Sequence, residues 1–337
     1  MSVPVAAGTA PAEAAGTAEV AGAAQAGEAT QAPEAAKVEG AAQAPEAAQA
    51  GEVAEAVAVR ELPLDPHDEL RERALAVREH VLRMAAGTAG AHVGGCLSAT
   101  DVLVALYFRV LRLRPDEPRW EGRDRFVLSK GHAGAALYAT LAERGFFPVA
   151  ALDTYGTPAG HLAAHPTPAV PGVEFATGSL GHGLSLATGL ALAAHRTGTD
   201  TRVYTLLGDG ELQEGSNWEA AMSAAHLGLD RLTAVVDRNR LQISGGTEER
   251  MGLEPLADKW RAFGWRVTET DGHDFTRLLP ALEQPPEPGR PSVVIADTVK
   301  GRGVRHLEHR KQGHFAKLSA PAYDRALAAL RTGRAAR

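Results

Sequence analysis

One cysteine, Cys96, is all that the 337-residue chain contains, which excludes an internal disulfide framework and suits a reducing cytosol. A clustered excess of basic residues is also lacking. The 35 Lys and Arg stand against 41 Asp and Glu, for a formal charge of −6. Residues 1–59 hold eight of the Glu against the lone Lys37, so the remainder carries 34 basic against 33 acidic residues. A body this close to neutral argues against a nucleic-acid-binding surface and against electrostatic anchoring to a membrane. No apolar stretch is expected to reach the roughly 18 residues of a membrane span. The N-terminus lacks the basic and apolar regions of a signal peptide. A soluble cytoplasmic protein is expected, with neither nucleic acid nor membrane among its partners.

The first 59 residues have no aromatic and no His; they are mostly Ala, Gly, Glu, Gln and Pro. Such a segment buries too little apolar surface to offset the entropy of ordering it, so residues 1–61 are expected to form a disordered tail. The hexapeptide Gln31-Ala-Pro-Glu-Ala-Ala36 recurs at Gln43–Ala48, but with only Ala to stack it does not make a solenoid repeat. Pro at 4, 11, 33 and 45 prevents one continuous helix. About 275 residues remain for one large domain, over 62–337.

From Leu64 the composition changes. Leu70, Leu75, Val77, Val81, Leu82 and Met84 recur near a helical period between charged residues, so an amphipathic helix is expected over Asp68–Met84. A second is expected over Ser98–Leu111, with Ser98 as N-cap and Asp101 three residues on. Short apolar runs then alternate with longer helical stretches: Arg125–Ser129, Val203–Leu207, Leu232–Asp237, Arg266–Thr270 and Ser292–Thr298. Runs apolar at consecutive positions suit strands buried on both faces, with helices as the crossovers of a parallel sheet. The expected fold is α/β, a doubly wound parallel sheet with helices on both faces.

In such sheets ligands bind where strands end and helices begin. The junction Val203–Gly208-Asp209-Gly210 delivers a carboxylate between two glycines, and a helix-like stretch follows instead of the return strand that a hairpin turn would need. The next run ends in Val235-Val-Asp237-Arg-Asn239-Arg-Leu241. The Asp209 carboxylate, the Asn239 side-chain oxygen and the backbone carbonyl two residues past Asn239 are hard oxygen ligands, suited to Mg²⁺ or Ca²⁺ with phosphate oxygens completing the shell.

Gly208-Asp209-Gly210 with Asn239 matches the signature of the thiamine diphosphate fold, and Gly-Asp-Gly-Glu-Leu-Gln-Glu-Gly around it resembles the transketolases. Further matches run in order through Ala91-His92-Val-Gly-Gly, Ser129-Lys-Gly-His132, His165-Pro, Gly178-Ser-Leu180-Gly-His-Gly183, Thr298-Val-Lys-Gly-Arg-Gly303 and His314. The resemblance covers about Leu70 to Leu318 and implies the N-terminal, diphosphate-binding subunit of a split transketolase. Its partner would be a C-terminal transketolase subunit carrying the pyrimidine-binding and C-terminal domains, with two copies of each chain in the assembly. The cofactors implied are thiamine diphosphate and Mg²⁺ or Ca²⁺, and the reaction is ketol transfer between sugars or sugar phosphates.

Residue by residue, the resemblance places Asp209, Asn239 and the carbonyl of Leu241 on the metal. It places His132 and Gly210 on the diphosphate, Gly178 and Leu180 along the thiazolium and aminopyrimidine, and Gly208 among the cofactor-binding residues. His92, His165 and His314 match histidines that face the sugars, where imidazoles donate to oxygens that change charge during cleavage. Glu214 matches an interface position, and His182 stands where many transketolases have Gln. Gly313, Phe315 and Ala316 depart from the family's pattern around His314. His161, His195 and His226 have no such context. Cys96 reads as an unreactive thiol in a Gly-Gly-Cys loop.

A nicotinamide dehydrogenase would need a third glycine after Gly181-His-Gly183 at the fingerprint spacing, and it is absent. A 1-deoxyxylulose-5-phosphate synthase or a 2-oxo-acid dehydrogenase α subunit shares the cofactor signature, and both stay as alternatives, although Leu-Gln-Glu and His165-Pro favour transketolase. An inactive partner-stabilising subunit is the non-enzyme alternative; it would be expected to lose metal or cofactor ligands, and none is missing.

Overall fold

The computed structural model describes residues 66–335, so the expected disordered tail over 1–61 lies outside the described residues. Helix α1, Pro66–Ala86, buries Leu70, Ala74, Val77, Val81 and Leu82 at helical spacing, as the periodicity predicts. Helix α2, Val93–Ala105, is buried along its whole length and runs on into a wider turn, Leu106–Val110.

Three expectations fail at α2. Ser98 is not an N-cap: the helix begins at Val93, and the buried Ser98 Oγ donates to Asp237 Oδ2 at 2.6 Å. A buried hydroxyl is held by a buried acceptor across the fold, and tertiary packing starts the helix despite Gly94 and Gly95. Cys96 therefore sits inside a helix and not in a loop, and burial pushes its thiol up to about 11. The expectation that no apolar stretch reaches membrane-span length also fails. The 18 residues Val93–Val110 are long and apolar enough to cross a membrane, but 89% of that stretch is buried inside the protein. Its apolar character serves the core, since a helix enclosed on all sides must be apolar all round.

Five parallel strands form the main sheet: β1 Arg125–Leu128, β2 Val203–Gly208, β3 Leu232–Arg238, β6 Arg266–Asp271 and β7 Ser292–Asp297, in the order β1-β2-β3-β7-β6. A short antiparallel pair, β4 Leu241–Gln242 and β5 Gly245–Gly246, follows β3. The remaining helices are α3 Gly134–Arg144, α4 Gly183–Thr197, α5 Gly215–His226, α6 Thr247–Arg250, α7 Leu256–Ala262, α8 Phe275–Leu282 and α9 Ala320–Ala335.

Side chains alternate along the strands. Phe126, Leu128, Tyr204, Leu206, Val235 and Val294 join one core with α1, α2, α3 and α8. Val127, Val203, Leu207, Leu232, Val236 and Ile295 join the other with α4, α5 and α7. Burial on both faces, expected of all five strands, fails for β6. At the sheet edge, Arg266, Val267 and Thr268 are only half-buried and Glu269 is exposed.

The chain advances from β1 through β2 to β3 with α4 and α5 on one face, then returns from β6 to β7 through α8 on the other. Right-handed crossovers running in opposite directions must leave the sheet on opposite faces, so the connections part between β3 and β7. Their C-terminal ends bound the crevice where a ligand is expected.

A buried ionic cluster ties these layers together. Arg78 of α1 grips Asp101 of α2 with both terminal nitrogens, at 2.9 and 2.6 Å. His273, in the turn after β6, approaches the same carboxylate through Nδ1 at 2.5 Å, and its Nε2 accepts from the Val299 N–H at 2.8 Å. The proton therefore sits on Nδ1, which donates to Asp101. Burial opposes ionisation of Asp101, but Arg78 and His273 outweigh it and hold the carboxyl well below the usual range. Asp101→Ala strands a buried guanidinium and should cost about 3–5 kcal/mol in urea denaturation. Arg261→Ala, which breaks the exposed pair with Asp258, should cost less than about 1 kcal/mol. Equal stability of the two variants would contradict this account of the cluster.

Candidate active site

The strand ends at the crevice carry polar residues where the apolar runs stop. Asp237, at the end of β3, is fully buried and collects four donors. Lys130, just past β1, pairs with its Oδ2; Ser98 of α2 and Asn239 Nδ2 donate to the same oxygen, at 2.6 and 3.2 Å; Thr298, just past β7, donates to Oδ1. Burial opposes this charge, but the Lys130 ammonium and the hydroxyl donors keep the carboxyl below its ordinary value.

Asp209 follows β2 and is also buried. Its Oδ1 accepts from Gly210 N at 2.7 Å, and its Oδ2 accepts from Arg240 N and, at 3.2 Å, from Arg238 Nη1. Arg240 adopts a left-handed backbone, φ 63°, a conformation costing about 1 kcal/mol or more that the Asp209 contact helps to hold. Burial, with Asp237 nearby, pushes the Asp209 carboxyl above its ordinary value. Asn239 Oδ1 accepts from Leu241 N at 3.1 Å, and the Leu241 carbonyl accepts from Lys300 Nζ at 2.8 Å. A cavity of about 560 Å³ opens beside this region, lined by Arg238, Arg240, His273, Asp297, Thr298 and Val299 among others.

Above the strand ends four imidazoles converge. His92 lies at the centre, its ring centroid 5.5 Å from that of His132, 5.8 Å from His165 and 5.3 Å from His314. Each comes from a different segment, so the grouping depends on close backbone contacts. Ala91 and Ala316 exchange two backbone hydrogen bonds of 2.9 Å, which sets His92 beside His314. A Cβ on Gly94 would meet Gly313 O at 2.7 Å, so only glycine lets α2 approach that loop. Tyr138 holds the His165 carbonyl at 2.9 Å. Lys300 is buried, and its ammonium contacts His314 Nδ1 at 3.1 Å. The His314 proton is thereby placed on Nε2.

This geometry belongs with known sequences. Residues 71–332 match the family model described as transketolase, thiamine diphosphate binding domain. The chain belongs to the transketolase family. It is 44% identical over 264 residues to the 6-deoxy-6-sulfo-D-fructose transketolase subunit of Clostridium sp. (strain MSTE9), covering 78% of this chain and 96% of that one. It is 46% identical over 239 residues to an apulose-4-phosphate transketolase subunit of Phocaeicola vulgatus, covering 70% and 84%. A transketolase structure from Pichia stipitis superposes with a TM-score of 0.72 at 29% identity, covering 76% of this chain and 40% of that one. The chain thus spans most of the length of relatives named as subunits, and under half of that solved transketolase. The fold is that of the family's thiamine diphosphate-binding domain, within a transketolase-type enzyme.

Most of the site residues named from sequence fall into two groups. Gly208, Asp209, Gly210 and Asn239 stand together at the ends of β2 and β3, and Leu241 opens β4 two residues past Asn239. His92, His132, His165 and His314 form one cluster, so His132 is not set apart from the other three. Gly178 touches that cluster: a Cβ there would lie 3.0 Å from His165 Cδ2. Leu180 lies on the loop before α4, where its carbonyl is 3.2 Å from His182 Nδ1. Glu214 is exposed at the start of α5, beside Gly181, away from the imidazoles. His161, His195 and His226 are exposed.

Sequence reasoning assigned no role to Lys130, Asp237 or Lys300. The available signal was a charged residue within three positions of the end of an otherwise apolar strand.

The residues fit the cofactor that the family's name carries. Lys300 is a buried cation whose described contacts are a carbonyl and an imidazole, so an anion would complete it. His92 Nδ1 and Thr177 Oγ1 are buried without hydrogen-bond partners. Burial and then Lys130 bring the Lys300 ammonium down to about 8. Burial, His165 and Lys300 lower His92; burial and Lys130 hold His132 well below its ordinary value; burial and Lys300 take His314 from 6.5 to about 4.

Neutral imidazoles in the folded chain make stability depend on pH. Between 6.5 and about 4 the unfolded chain binds the proton that folded His314 does not, so stability falls as pH is lowered through that window and is fully present above it. The thermal midpoint of the chain without cofactor should fall from pH 7 to pH 5, and His314→Asn should make that fall shallower. Parallel curves for the two proteins would contradict the assignment.

Proposed function

We propose that residues 62–337 form the diphosphate-binding domain of a two-subunit transketolase. It moves a two-carbon ketol unit from a ketose or ketose-phosphate donor to an aldose or aldose-phosphate acceptor. The observation that carries this reading is the convergence of four imidazoles and Lys300 over the strand ends that bear Asp209 and Asn239.

Asp209, Asn239 and the Leu241 carbonyl would hold Mg²⁺ or Ca²⁺, being hard oxygen donors on adjacent strand ends. His132, Gly208, Gly210 and Lys300 would meet the diphosphate, and Gly178 and Leu180 the ring systems. Thiamine diphosphate, when bound, supplies the carbon centre that stabilises the negative charge released on cleaving the ketose.

The chain's own residues then handle substrate oxygens. His314, with its proton on Nε2, offers a donor toward the cluster. His92 has a free Nδ1 and stands at the centre, where it can take or give a proton. His165 is held by Tyr138 at its backbone and closes the other side. His92 and His314, held neutral by burial and Lys300, act as donor or acceptor without adding fixed charge, which suits a substrate whose hydroxyl becomes a carbonyl and returns. Glu214, exposed, would face the partner subunit, whose pyrimidine-binding and C-terminal domains complete the site in an assembly of two copies of each chain.

The test uses the chain mixed with that partner, without which no turnover is expected. Asp209→Ala should abolish Mg²⁺-dependent binding of thiamine diphosphate. His92→Ala and His165→Ala should keep near-normal cofactor affinity and lose turnover by on the order of 10² or more. Unchanged cofactor titration in the Asp209 variant would sink the metal assignment, and loss of cofactor binding in the His variants would move them to the diphosphate.

A further inference from the structure

Glu211 has no part in the chemistry described above, yet it is almost fully buried in the turn Gly210–Gln213 beside Asp209. Its partners are one hydroxyl and two backbone N–H groups. Oε1 accepts from Ser129 Oγ and, at 2.9 Å, from Gly181 N; Oε2 accepts from Gly208 N at 2.9 Å. Ser129 Oγ in turn accepts from Gly183 N at 3.1 Å.

These contacts join three separate segments. Ser129 precedes Lys130 and His132 at the end of β1, and Gly208 precedes Asp209 at the end of β2. Gly181 and Gly183 lie on the loop that carries Gly178 and Leu180. The base of the side chain is itself fixed, because Asn217 Nδ2 donates to the Glu211 carbonyl at 2.7 Å and Trp218 Nε1 to the Leu212 carbonyl at 2.8 Å. The loop sits close on its supports. Gly181 has φ +88°, and a Cβ there would meet Glu214 Cβ at 2.7 Å.

A buried carboxylate whose hydrogen-bond partners are neutral is costly unless each oxygen is satisfied. The arrangement explains why the cost is tolerated. Three donors converge on two oxygens, and two of the donors are backbone groups that cannot rotate. An ionised carboxylate accepts at every position. A glutamine of the same shape must turn its NH₂ toward either Gly181 N–H or Gly208 N–H, setting donor against donor.

We propose that Glu211 is a positioning residue that fixes the Gly178–Gly183 loop against the Asp209 turn and the His132 turn, so that cofactor contacts from all three are preformed. The cofactor half of this statement rests on the thiamine diphosphate reading; the loop half does not.

Glu211→Gln, Glu211→Asp and Ser129→Ala, made in the full chain, separate the two. Hydrogen exchange read by mass spectrometry on the chain alone tests the loop. In Glu211→Gln, exchange over 178–183 and 208–210 should rise on the order of tenfold, while α2 and β3 keep their protection. Ser129→Ala removes one donor and leaves both backbone contacts, so it should change in the same direction by less. Glu211→Asp keeps an acceptor on both oxygens and should fall between wild type and Gln. Titration of thiamine diphosphate with Mg²⁺ into the complex with the partner subunit tests the consequence: Kd should rise on the order of tenfold in Glu211→Gln, with kcat at saturating cofactor within about threefold of wild type. Exchange that rises uniformly over the sheet, or an unchanged Kd with a loosened loop, would reduce Glu211 to a stability element and overturn the proposal. A wild-type complex that does not bind thiamine diphosphate would overturn the cofactor reading and leave the exchange result to decide the loop.

Discussion

The Asp237 carboxylate is the interaction on which the site depends. It lies at the end of β3, at the point where the crossovers part, and draws Lys130, Ser98, Asn239 and Thr298 to one buried charge. Through Ser98 it fixes α2, and with α2 the turn that presents His92. Through Thr298 it fixes the segment that leads to Lys300. Neither Lys130 nor Asp237 reaches solvent, so each is tolerable only beside the other, and the low polarity that makes separation costly makes the pairing specific. The same segment is steadied from behind, where His273, anchored on Asp101, accepts from Val299.

The electrostatic state of the histidine cluster follows from this packing. Burial disfavours protonation of His92, His132 and His314, and the buried ammonium groups at 130 and 300 act on these rings in the same direction. Held neutral, those three rings can each serve as donor or acceptor. Lys300 hydrogen-bonds only a carbonyl and an imidazole among the described residues, so an anion placed beside it would complete a buried cation next to the groups suited to moving protons.

Much of this was legible in the sequence, and the parts that were not have a common cause. All five strands were found from apolar runs, and Gly208-Asp209-Gly210 with Asn239 marked the crevice, because those features are local. The start of α2 was missed because its first turn, with Gly94 and Gly95, is set by contacts with Gly313 and His132, far away in the chain. Ser98 looked like a cap and is a ligand of Asp237, 139 positions on. The pairing of Lys130 with Asp237 spans 107 positions and leaves no periodic trace. The apolar stretch at 93–110 was underestimated because Gly, Ser, Thr and Asp101 interrupt it in sequence, while the fold buries them with the rest.

The most direct measurement is a crystal structure of the chain with its partner subunit, grown with thiamine diphosphate and with Mn²⁺ in place of Mg²⁺, the metal located by its anomalous signal. The account predicts one metal peak on Asp209, Asn239 and the Leu241 carbonyl, with the diphosphate against His132 and Lys300, and Lys300 Nζ drawn from the Leu241 carbonyl toward the anion. A metal peak elsewhere, or a diphosphate remote from Lys300 with its contact to Leu241 intact, would contradict it.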